Sequence, residues 1–361
     1  MDNIQYPAPK QEYKVLVYCA TYNQSKYIED ALKGFAMQQT DFPFVCMVMD
    51  DASTDGEQEV IKQWMERECD MYRAETIDIP TSIVIIVPHK TNPSCTFAFY
   101  LLKQNLFGTG KKVYYQKPWR EKCEYEALCE GDDYWIDSLK LQKQVDFLDG
   151  NPEYVMSFTD VINYNQFESK FAEKQSVKYK NNNSRLHSNK DYAFWAILFG
   201  ECRIQTLSVV YRQSVLKEIQ ANTEKFMMGD TTLWLDMSQK GRIAYLEDCT
   251  GVYRITPNST TNNPETQFRF TLSMYEMRVY YCGKYNYEIP ARLKVLYNRY
   301  YISYIVNTSN PHNPIYPLFQ MNAFQTRVAK YIMGNKKKSI ICKIIYKLED
   351  TIYKTLNMKY F

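Results

Sequence analysis

This 361-residue sequence has few of the features that mark membrane, secreted or zinc-binding proteins. Its longest purely aliphatic run is Ile83 to Val87, far short of the roughly 20 apolar residues that a bilayer-spanning helix needs. The first residues lack the basic start and apolar core of a secretory signal, so we expect the ten cysteines to be reduced thiols in a cytoplasmic protein. Three dispersed histidines and the lack of a Cys-x-x-Cys pair argue against a zinc site.

Positive charge is scarce in the body of the chain and concentrated near its end. The whole sequence carries a net charge of +3, yet residues 330–361 hold eight lysines against Glu349 and Asp350. The remainder is therefore slightly acidic, which argues against a nucleic-acid-binding surface and for a local anionic partner of the basic end. Because hydrophobic content is 45% and charged content 24%, disordered and collagen-like classes are excluded.

Apolar runs that alternate with polar turns and helical patterns predict an α/β fold with a parallel sheet. The first runs cover 14–20, 42–49 and 82–87. A helix is predicted from about Ser94 to Asn105. The basic, aromatic segment 107–122 is interpreted either as a hairpin or mobile insertion, or as a loop that touches substrate.

An apolar run ends in a cluster of acids in the middle of the chain, at Ala127-Leu128-Cys129-Glu130-Gly131-Asp132-Asp133-Tyr134-Trp135. Three acids within four positions repel one another and are usually held together by a divalent cation or by donor groups of a ligand. In an open α/β sheet, ligands bind at the carboxyl ends of strands, where this turn falls. The alternative is a solvated loop that only caps the next helix.

The second half of the predicted body contains further strands and one notable helix. Strands are predicted at 154–159, 204–211, 243–246 and 249–254, with a polar surface stretch over roughly 163–190. The helix after Met227 carries Asp230 in its first turn. We divide the chain into a leader 1–12, a catalytic domain 13–255, a linker 256–265 and a helical extension 266–361.

Together these residues resemble the family 2 glycosyltransferases of the GT-A fold, especially bacterial enzymes that build surface polysaccharides. The similarity spans about 14–255. It is carried by four motifs in order: Ala20-Thr21-Tyr22-Asn23, Met49-Asp50-Asp51-Ala52-Ser53-Thr54-Asp55-Gly56, Glu130-Gly131-Asp132-Asp133-Tyr134-Trp135, and Gly229-Asp230 with Leu233-Trp234. The resemblance implies a mostly parallel central sheet flanked by helices, with a C-terminal helical extension.

The resemblance also implies a nucleotide-binding role for the first two turns. Thr21 and Tyr22 match the residues that pack on the base of a nucleotide sugar. Asp51 matches the acid that bonds the base or ribose, and Asp50 is the second choice for that contact.

The later motifs imply metal binding and catalysis. Glu130 matches the first acid of the family's Asp-x-Asp element. Asp132 and Asp133 would meet the ribose, the diphosphate and a Mn²⁺ or Mg²⁺ ion. Asp230 matches the catalytic base, and a carboxylate there could take the proton of an acceptor hydroxyl as it attacks. The alternative for Asp230 is an acid that only stabilises the start of its helix through the macrodipole.

The sequence departs from the family pattern in two places. Many relatives place a histidine after the Tyr-Arg pair that ends the last strand, and here Tyr253-Arg254 is followed by Ile255-Thr256-Pro257-Asn258. A metal or diphosphate contact from that histidine is therefore missing. The Gln-x-x-Arg-Trp motif and membrane helices of processive members are also absent, which favours addition of single sugars.

The end of the chain has an amphipathic pattern with two interpretations. Between Ile340 and Leu356, isoleucines and leucines fall on one side of a helical wheel and Lys343, Lys347 and Lys354 on the other. Such a helix fits peripheral contact with anionic lipids on the inner membrane face. It equally fits packing on the catalytic body or on the second subunit of a homodimer.

We therefore predict an inverting, metal-dependent glycosyltransferase that uses a UDP-sugar, of hexosyl or N-acetylhexosaminyl type. Its acceptor would be a saccharide or lipid-linked hydroxyl in polysaccharide or glycoconjugate biosynthesis. One alternative is a degenerate transferase kept as a binding or scaffolding subunit, against which the presence of Asp230 argues. Another is a sugar nucleotidyltransferase, which should have a glycine-rich basic loop where this chain has Thr21-Tyr22-Asn23.

Overall fold

The computed structural model of the chain describes residues 5–175, 186, 190–219, 226–256, 264–290, 293–294 and 296–297. They form two compact units. The first contains the described residues of Met1–Glu224 and Leu233–Pro257, and the second those of Lys225–Thr232 and Asn258–Phe361. The predicted amphipathic tail lies outside the described residues, as do most of the predicted linker and residues 176–185 and 187–189 of the expected surface stretch.

The first unit is built on one eleven-stranded sheet. Its strands are β1 (Tyr13–Thr21), β2 (Phe44–Asp50), β3 (Glu75–Ile79), β4 (Ser82–Pro88), β5 (Cys95–Leu102), β6 (Cys123–Leu128), β7 (Tyr134–Trp135), β8 (Tyr154–Asn165), β9 (Lys170–Lys174), β10 (Val209–Arg212) and β11 (Arg242–Ile255). They lie in the order β3-β4-β5-β2-β1-β6-β10-β8-β11-β7, and β9 pairs with β8. The neighbours β5, β2, β1 and β6 are parallel, with antiparallel strands on both sides of them. The predicted α/β fold is thus confirmed, with its parallel strands at the centre of a mixed sheet.

The described helices are α1 (Ile28–Ala36), α2 (Glu57–Glu68), α3 (Lys112–Arg120), α4 (Lys140–Gly150), α5 (Lys190–Phe199), α6 (Gln213–Glu218), α7 (Gly229–Ser238) and α8 (Pro264–Lys284). In α1 the apolar face is buried, including Ile28, Leu32 and Phe35. A side chain at Gly34 would place its Cβ 2.9 Å from the backbone nitrogen of Trp135. The glycine therefore lets α1 contact the backbone of β7 directly, which supports the segment that follows the acidic turn.

One expectation about the first unit is wrong, and one of the interpretations of 107–122 is excluded. The segment predicted as a helix from Ser94 to Asn105 is the strand β5, which pairs with β2 and β4 and is almost entirely buried. A continuous apolar run does not reveal its period, so helix and buried strand look alike in the sequence. The segment 107–122 is not a hairpin, because most of it is the helix α3, which accommodates Pro118 in its last turn.

The strand pair predicted at 243–246 and 249–254 is one continuous strand, β11. It runs parallel to β8, with irregular register near Leu246 and Cys249. All nine cysteines in the described part of the chain are free. A search of the described helices finds none that combines the length and apolar character needed to cross a bilayer.

A buried lysine, Lys140, lies at the start of α4. The side chain of Lys140 is fully buried, and its ammonium lies 4.7 Å from the centroid of the Trp135 ring. It donates to Gln144 and, at 3.3 Å, to the carbonyl oxygen of Ser208. Burial disfavours the charged amine and lowers the pKa of Lys140 to about 7.

Replacing this lysine should change how stability depends on pH. Because the pKa of Lys140 is lower in the folded than in the unfolded chain, the folded state binds the proton less tightly. The lysine's contribution to stability therefore falls as pH falls toward about 7, at roughly 1 kcal/mol per pH unit. In Lys140→Met the free energy of unfolding, measured in urea at pH 7, 8 and 9, should rise less with pH. Lys26→Met, at an exposed position, should follow the natural chain, and equal slopes for Lys140→Met and the natural chain would contradict this account.

Candidate functional site

Three carboxylates meet in the turn between β6 and β7, at the carboxyl end of β6. Glu130, Asp132 and Asp133 each have a carboxylate oxygen within 4.8 Å of the others, and they are the only group of this kind found among the described residues. Their burial increases in that order, from exposed Glu130 to fully buried Asp133. A set of carboxylate oxygens is the ligand type that Mg²⁺ and Mn²⁺ prefer, so the residues present fit such an ion.

The electrostatics of the turn also favour a cation. Burial raises the pKa of Asp132. The pKa of Asp133 is raised well above its ordinary value, first by burial and next by the neighbouring charge of Asp132. A bound divalent cation would favour the charged form of both carboxylates and so oppose these shifts.

The turn after β1 packs directly on the acidic turn. The backbone nitrogen of Gly131 donates to the carbonyl oxygen of Ala20 at 3.2 Å. A Cβ at position 131 would lie 2.3 Å from the hydroxyl oxygen of Thr21 and 2.6 Å from Oε1 of Gln24, so only glycine fits there without displacement. The Gln24 side chain hydrogen-bonds the Asp132 carboxylate and accepts the Thr21 hydroxyl at 2.8 Å. The Gln24 side chain thus connects Thr21, a predicted nucleotide contact, to Asp132, a predicted metal ligand.

A buried carboxylate that sequence analysis missed joins the turn after β1 to the turn after β2. Glu57, in the first turn of α2, accepts the Thr21 hydroxyl, the Gln24 backbone N–H at 2.8 Å and the Ser53 hydroxyl at 2.9 Å. Burial raises the pKa of Glu57, although these donors oppose the shift. The only sequence signal for this role is an acid directly after Asp55-Gly56, which resembles an ordinary acid at a helix start.

The two acids at the end of β2 have different surroundings. The Asp51 carboxylate accepts the backbone N–H of Leu106 at 2.6 Å and pairs with the Lys112 ammonium at 2.8 Å. One oxygen of Asp50 accepts the Ser53 backbone N–H and the Gln58 side chain, while its Oδ2 is buried without a hydrogen-bond partner among the described residues. Both side chains are buried, and the roles predicted for them stay predictions.

The two remaining predicted residues are more exposed. Tyr22 has 46% of its surface exposed, so its ring can stack on a ligand. Asp230 is exposed in the first turn of α7, and its Oδ1 accepts the backbone N–H of Thr231 at 2.6 Å. It belongs to the second unit, and its part in the site stays a prediction.

The segment that carries Asp230 is fastened to α8 within the second unit. The Met227 backbone N–H donates to the Ser273 hydroxyl at 3.0 Å, and the Tyr281 hydroxyl donates to the Thr232 carbonyl oxygen at 3.0 Å. Residues of the C-terminal helical part therefore hold the backbone on both sides of the predicted base.

Arg254, near the end of β11, contacts the acidic turn and was not predicted as a site residue. Its backbone N–H donates to Oδ1 of Asp133 at 2.8 Å, and its guanidinium donates to the Asp132 carbonyl oxygen at 2.7 Å. The guanidinium also pairs with Asp30 of α1 at 2.8 Å. The sequence signal for Arg254 is the Tyr253-Arg254 pair, which matches the Tyr-Arg pair that ends the last strand in the family pattern.

Comparison with known proteins gives relatives without an assigned function. No profile of a known protein family matches the chain. Uncharacterised proteins of Mycobacterium bovis and Mycobacterium tuberculosis are 33% identical to it over 235 residues. The match covers 65% of this chain and 56% of each relative, so the chain spans little more than half the length of these relatives.

Among solved structures, the similar chains include two proteins bound to nucleotide sugars. Staphylococcus aureus TarS 1-349 in complex with UDP-GlcNAc has a TM-score of 0.47 and 15% identity, over 81% of this chain and 80% of that one. The mannosyltransferase PcManGT from Pyrobaculum calidifontis, in complex with GDP-Man and Mn²⁺, has a TM-score of 0.49 and 12% identity, over 98% of this chain and 90% of that one.

Removing the Glu57 carboxylate should loosen the connection between the two turns. In Glu57→Ala the buried Gln24 N–H loses its acceptor, so we expect the free energy of unfolding to fall by roughly 2 to 3 kcal/mol. Glu59→Ala, an exposed position in the same turn of α2, is the matched control and should change it by less than about 0.5 kcal/mol. Urea denaturation monitored by circular dichroism measures the free energy of unfolding of both variants. Equal effects of the two substitutions would show that the hydrogen bonds of Glu57 do not stabilise the connection between the two turns.

Proposed function

We propose that this protein is a metal-dependent, inverting glycosyltransferase of family 2 type that transfers a sugar from a nucleotide-diphosphate donor, with a UDP-sugar as first choice. The observation that carries the proposal is the cluster of Glu130, Asp132 and Asp133 at the end of β6, with the turn after β1 packed on it. The family motifs predict the nucleotide-binding residues on those same turns.

The turns after β1 and β2 would bind the nucleoside. The exposed ring of Tyr22 offers a stacking surface for a base. Thr21 precedes Tyr22 at the end of β1, and in the sheet it lies opposite Asp50 at the end of the neighbouring strand β2. Asp51 follows Asp50. Asp50 has an oxygen without a partner among the described residues, whereas both oxygens of Asp51 have partners. That difference makes Asp50 at least as good a candidate for a ligand hydroxyl as Asp51.

The acidic turn would hold the diphosphate end of the donor through a cation. Asp132 and Asp133, with Glu130 at the exposed side, would bind Mn²⁺ or Mg²⁺. Such an ion, when bound, acts as a Lewis acid that stabilises the charge developing on the leaving diphosphate. Gly131 allows the turn to lie against Thr21 and Gln24, so the residues proposed to bind the nucleoside and those proposed to bind the metal lie in adjoining turns.

Asp230 would act as the general base. An acceptor hydroxyl is a weak nucleophile while protonated, and a carboxylate at hydrogen-bond distance can take its proton as attack proceeds. Attack on the face opposite the leaving diphosphate inverts the anomeric carbon. The acceptor is proposed to be a saccharide or lipid-linked hydroxyl in polysaccharide or glycoconjugate assembly.

Metal-dependent nucleotide binding tests the acidic turn. Asp133→Asn keeps an oxygen for the Arg254 N–H but loses the negative charge, so we expect at least tenfold weaker Mn²⁺-dependent binding of UDP. Calorimetry with Mn²⁺ and then with EDTA measures the effect. Asp146→Asn, an exposed acid of α4, is the control. UDP binding that is unaffected by EDTA in the natural chain would remove the metal from the proposal.

Turnover tests the base. Asp230→Asn should bind the donor nearly as tightly as the natural chain and release nucleotide from it about 10² to 10⁴ times more slowly. A hydrolysis screen over common UDP-, GDP- and dTDP-sugars identifies the donor in the same experiment. If the chain binds a nucleotide sugar but releases no nucleotide from any donor, with or without an acceptor, the degenerate binding subunit is favoured instead. Equal turnover by the natural chain and Asp230→Asn would exclude Asp230 as the base.

A further inference from the structure

We propose that Arg254 is a positioning residue, which fixes the backbone of the acidic turn and thereby sets the metal affinity of Asp132 and Asp133. This inference rests on the proposed function for its consequence on metal binding, and on the geometry alone for the ordering of the turn.

A main-chain N–H of β11 is hydrogen-bonded to the acidic turn. β7 pairs antiparallel with β11, and Val252 lies opposite Tyr134. One residue before Tyr134 the chain leaves the ladder, and the Asp133 carboxylate takes the place of a backbone carbonyl by accepting the Arg254 N–H at 2.8 Å. This bond orients the most buried of the three acids, and it persists whatever side chain stands at position 254.

The guanidinium adds a second constraint, on the peptide between the two predicted metal ligands. One terminal nitrogen donates to the Asp132 carbonyl oxygen at 2.7 Å, and the other pairs with Asp30 at 2.8 Å. Because Asp30 lies in α1, the guanidinium connects the acidic turn to the helix that already contacts β7 through Gly34. A planar fork with two separate donors can make both contacts at once, which an ammonium at the end of a lysine cannot do in the same geometry.

Two tyrosine rings hold the guanidinium in place. Its central carbon lies 4.7 Å from the centroid of the Tyr27 ring and 5.0 Å from that of Tyr134. The side chain is 94% buried, since its relative exposure is 6%. Contacts of this kind restrict the guanidinium to one orientation, in which it donates to the Asp132 carbonyl oxygen.

The chain offers a matched control in Arg212 at the end of β10. Its guanidinium lies 5.4 Å from the Tyr125 ring and donates to the Tyr154 carbonyl oxygen and the Tyr125 hydroxyl, each at 2.9 Å. It therefore also donates to a backbone carbonyl oxygen and packs on a tyrosine ring within the same unit, and its hydrogen bonds to the described residues go elsewhere than the acidic turn. Loss of either arginine should cost global stability, while only loss of Arg254 should affect residues 130–133.

The experiment compares Arg254→Met, Arg254→Lys and Arg212→Met with the natural chain by two measurements. Hydrogen exchange followed by mass spectrometry, in EDTA, reports the protection of peptides covering 129–135, where the Gly131 and Asp133 amides are hydrogen-bonded. Titration with Mn²⁺, followed by the electron paramagnetic resonance signal of the free ion, reports metal affinity. Neither measurement requires turnover.

We expect exchange in 129–135 to be at least tenfold faster in Arg254→Met, with Mn²⁺ affinity lowered about 10- to 100-fold, the range found when a group that orients metal ligands is removed. Arg212→Met should leave both unchanged within about threefold. Equal effects of Arg254→Met and Arg212→Met would overturn the inference, because Arg254 would then act only on global stability. Arg254→Lys that matches the natural chain would also overturn it, since charge alone would suffice.

The two proposals can fail separately. If the natural chain binds no Mn²⁺ while the exchange difference between Arg254→Met and Arg212→Met remains, the positioning role is supported and the metal part of the proposed function is contradicted. If Mn²⁺ binds and the exchange difference is absent, the proposed function survives and the role of Arg254 is rejected.

Discussion

Glu130, Asp132 and Asp133 bring three carboxylate oxygens within 4.8 Å of one another, and the repulsion among them has to be offset by something else in the structure. Arg254 is the cation whose contacts with the turn are seen, and it shares its charge with Asp30. Burial raises the pKa of both Asp132 and Asp133, and the neighbouring charge of Asp132 raises the pKa of Asp133 further. The folded chain therefore contains a partly buried cluster of three carboxylates at the carboxyl end of a central strand, where α/β proteins commonly bind ligands.

The rest of the site follows from how closely three turns can approach. Two glycines make that approach possible, because Gly131 faces Thr21 and Gln24, and Gly34 faces the backbone of Trp135. The Glu57 carboxylate accepts hydrogen bonds from the turns after β1 and β2. Short polar contacts of this kind hold backbone segments more rigidly than exposed loops are held, which is the property that a site for a charged ligand requires.

Much of the fold and part of the site could be predicted from sequence, because strand ends and acidic turns have local patterns. The strands β1, β2, β4 and β6 and the turns that follow β1, β2 and β6 were found in this way. Residues whose role depends on distant partners were not. Glu57 resembles any acid at a helix start, and its partner Thr21 lies 36 positions away. Arg254 reaches a turn more than 120 positions earlier, and β5 has a continuous apolar pattern that gives no period.

The ion pair between Lys112 and Asp51 makes α3 part of the same system. Asp51 also accepts the Leu106 N–H, and its carbonyl oxygen accepts the Asn105 side chain. Under the proposed function, a nucleoside hydroxyl that bound the Asp51 carboxylate would compete with the Leu106 N–H and the Lys112 ammonium, so ligand affinity would include the free energy of loosening the segment 105–112 from that carboxylate. Binding and the detachment of that segment would then be thermodynamically linked, and a substitution in α3 could tune donor affinity without touching the donor.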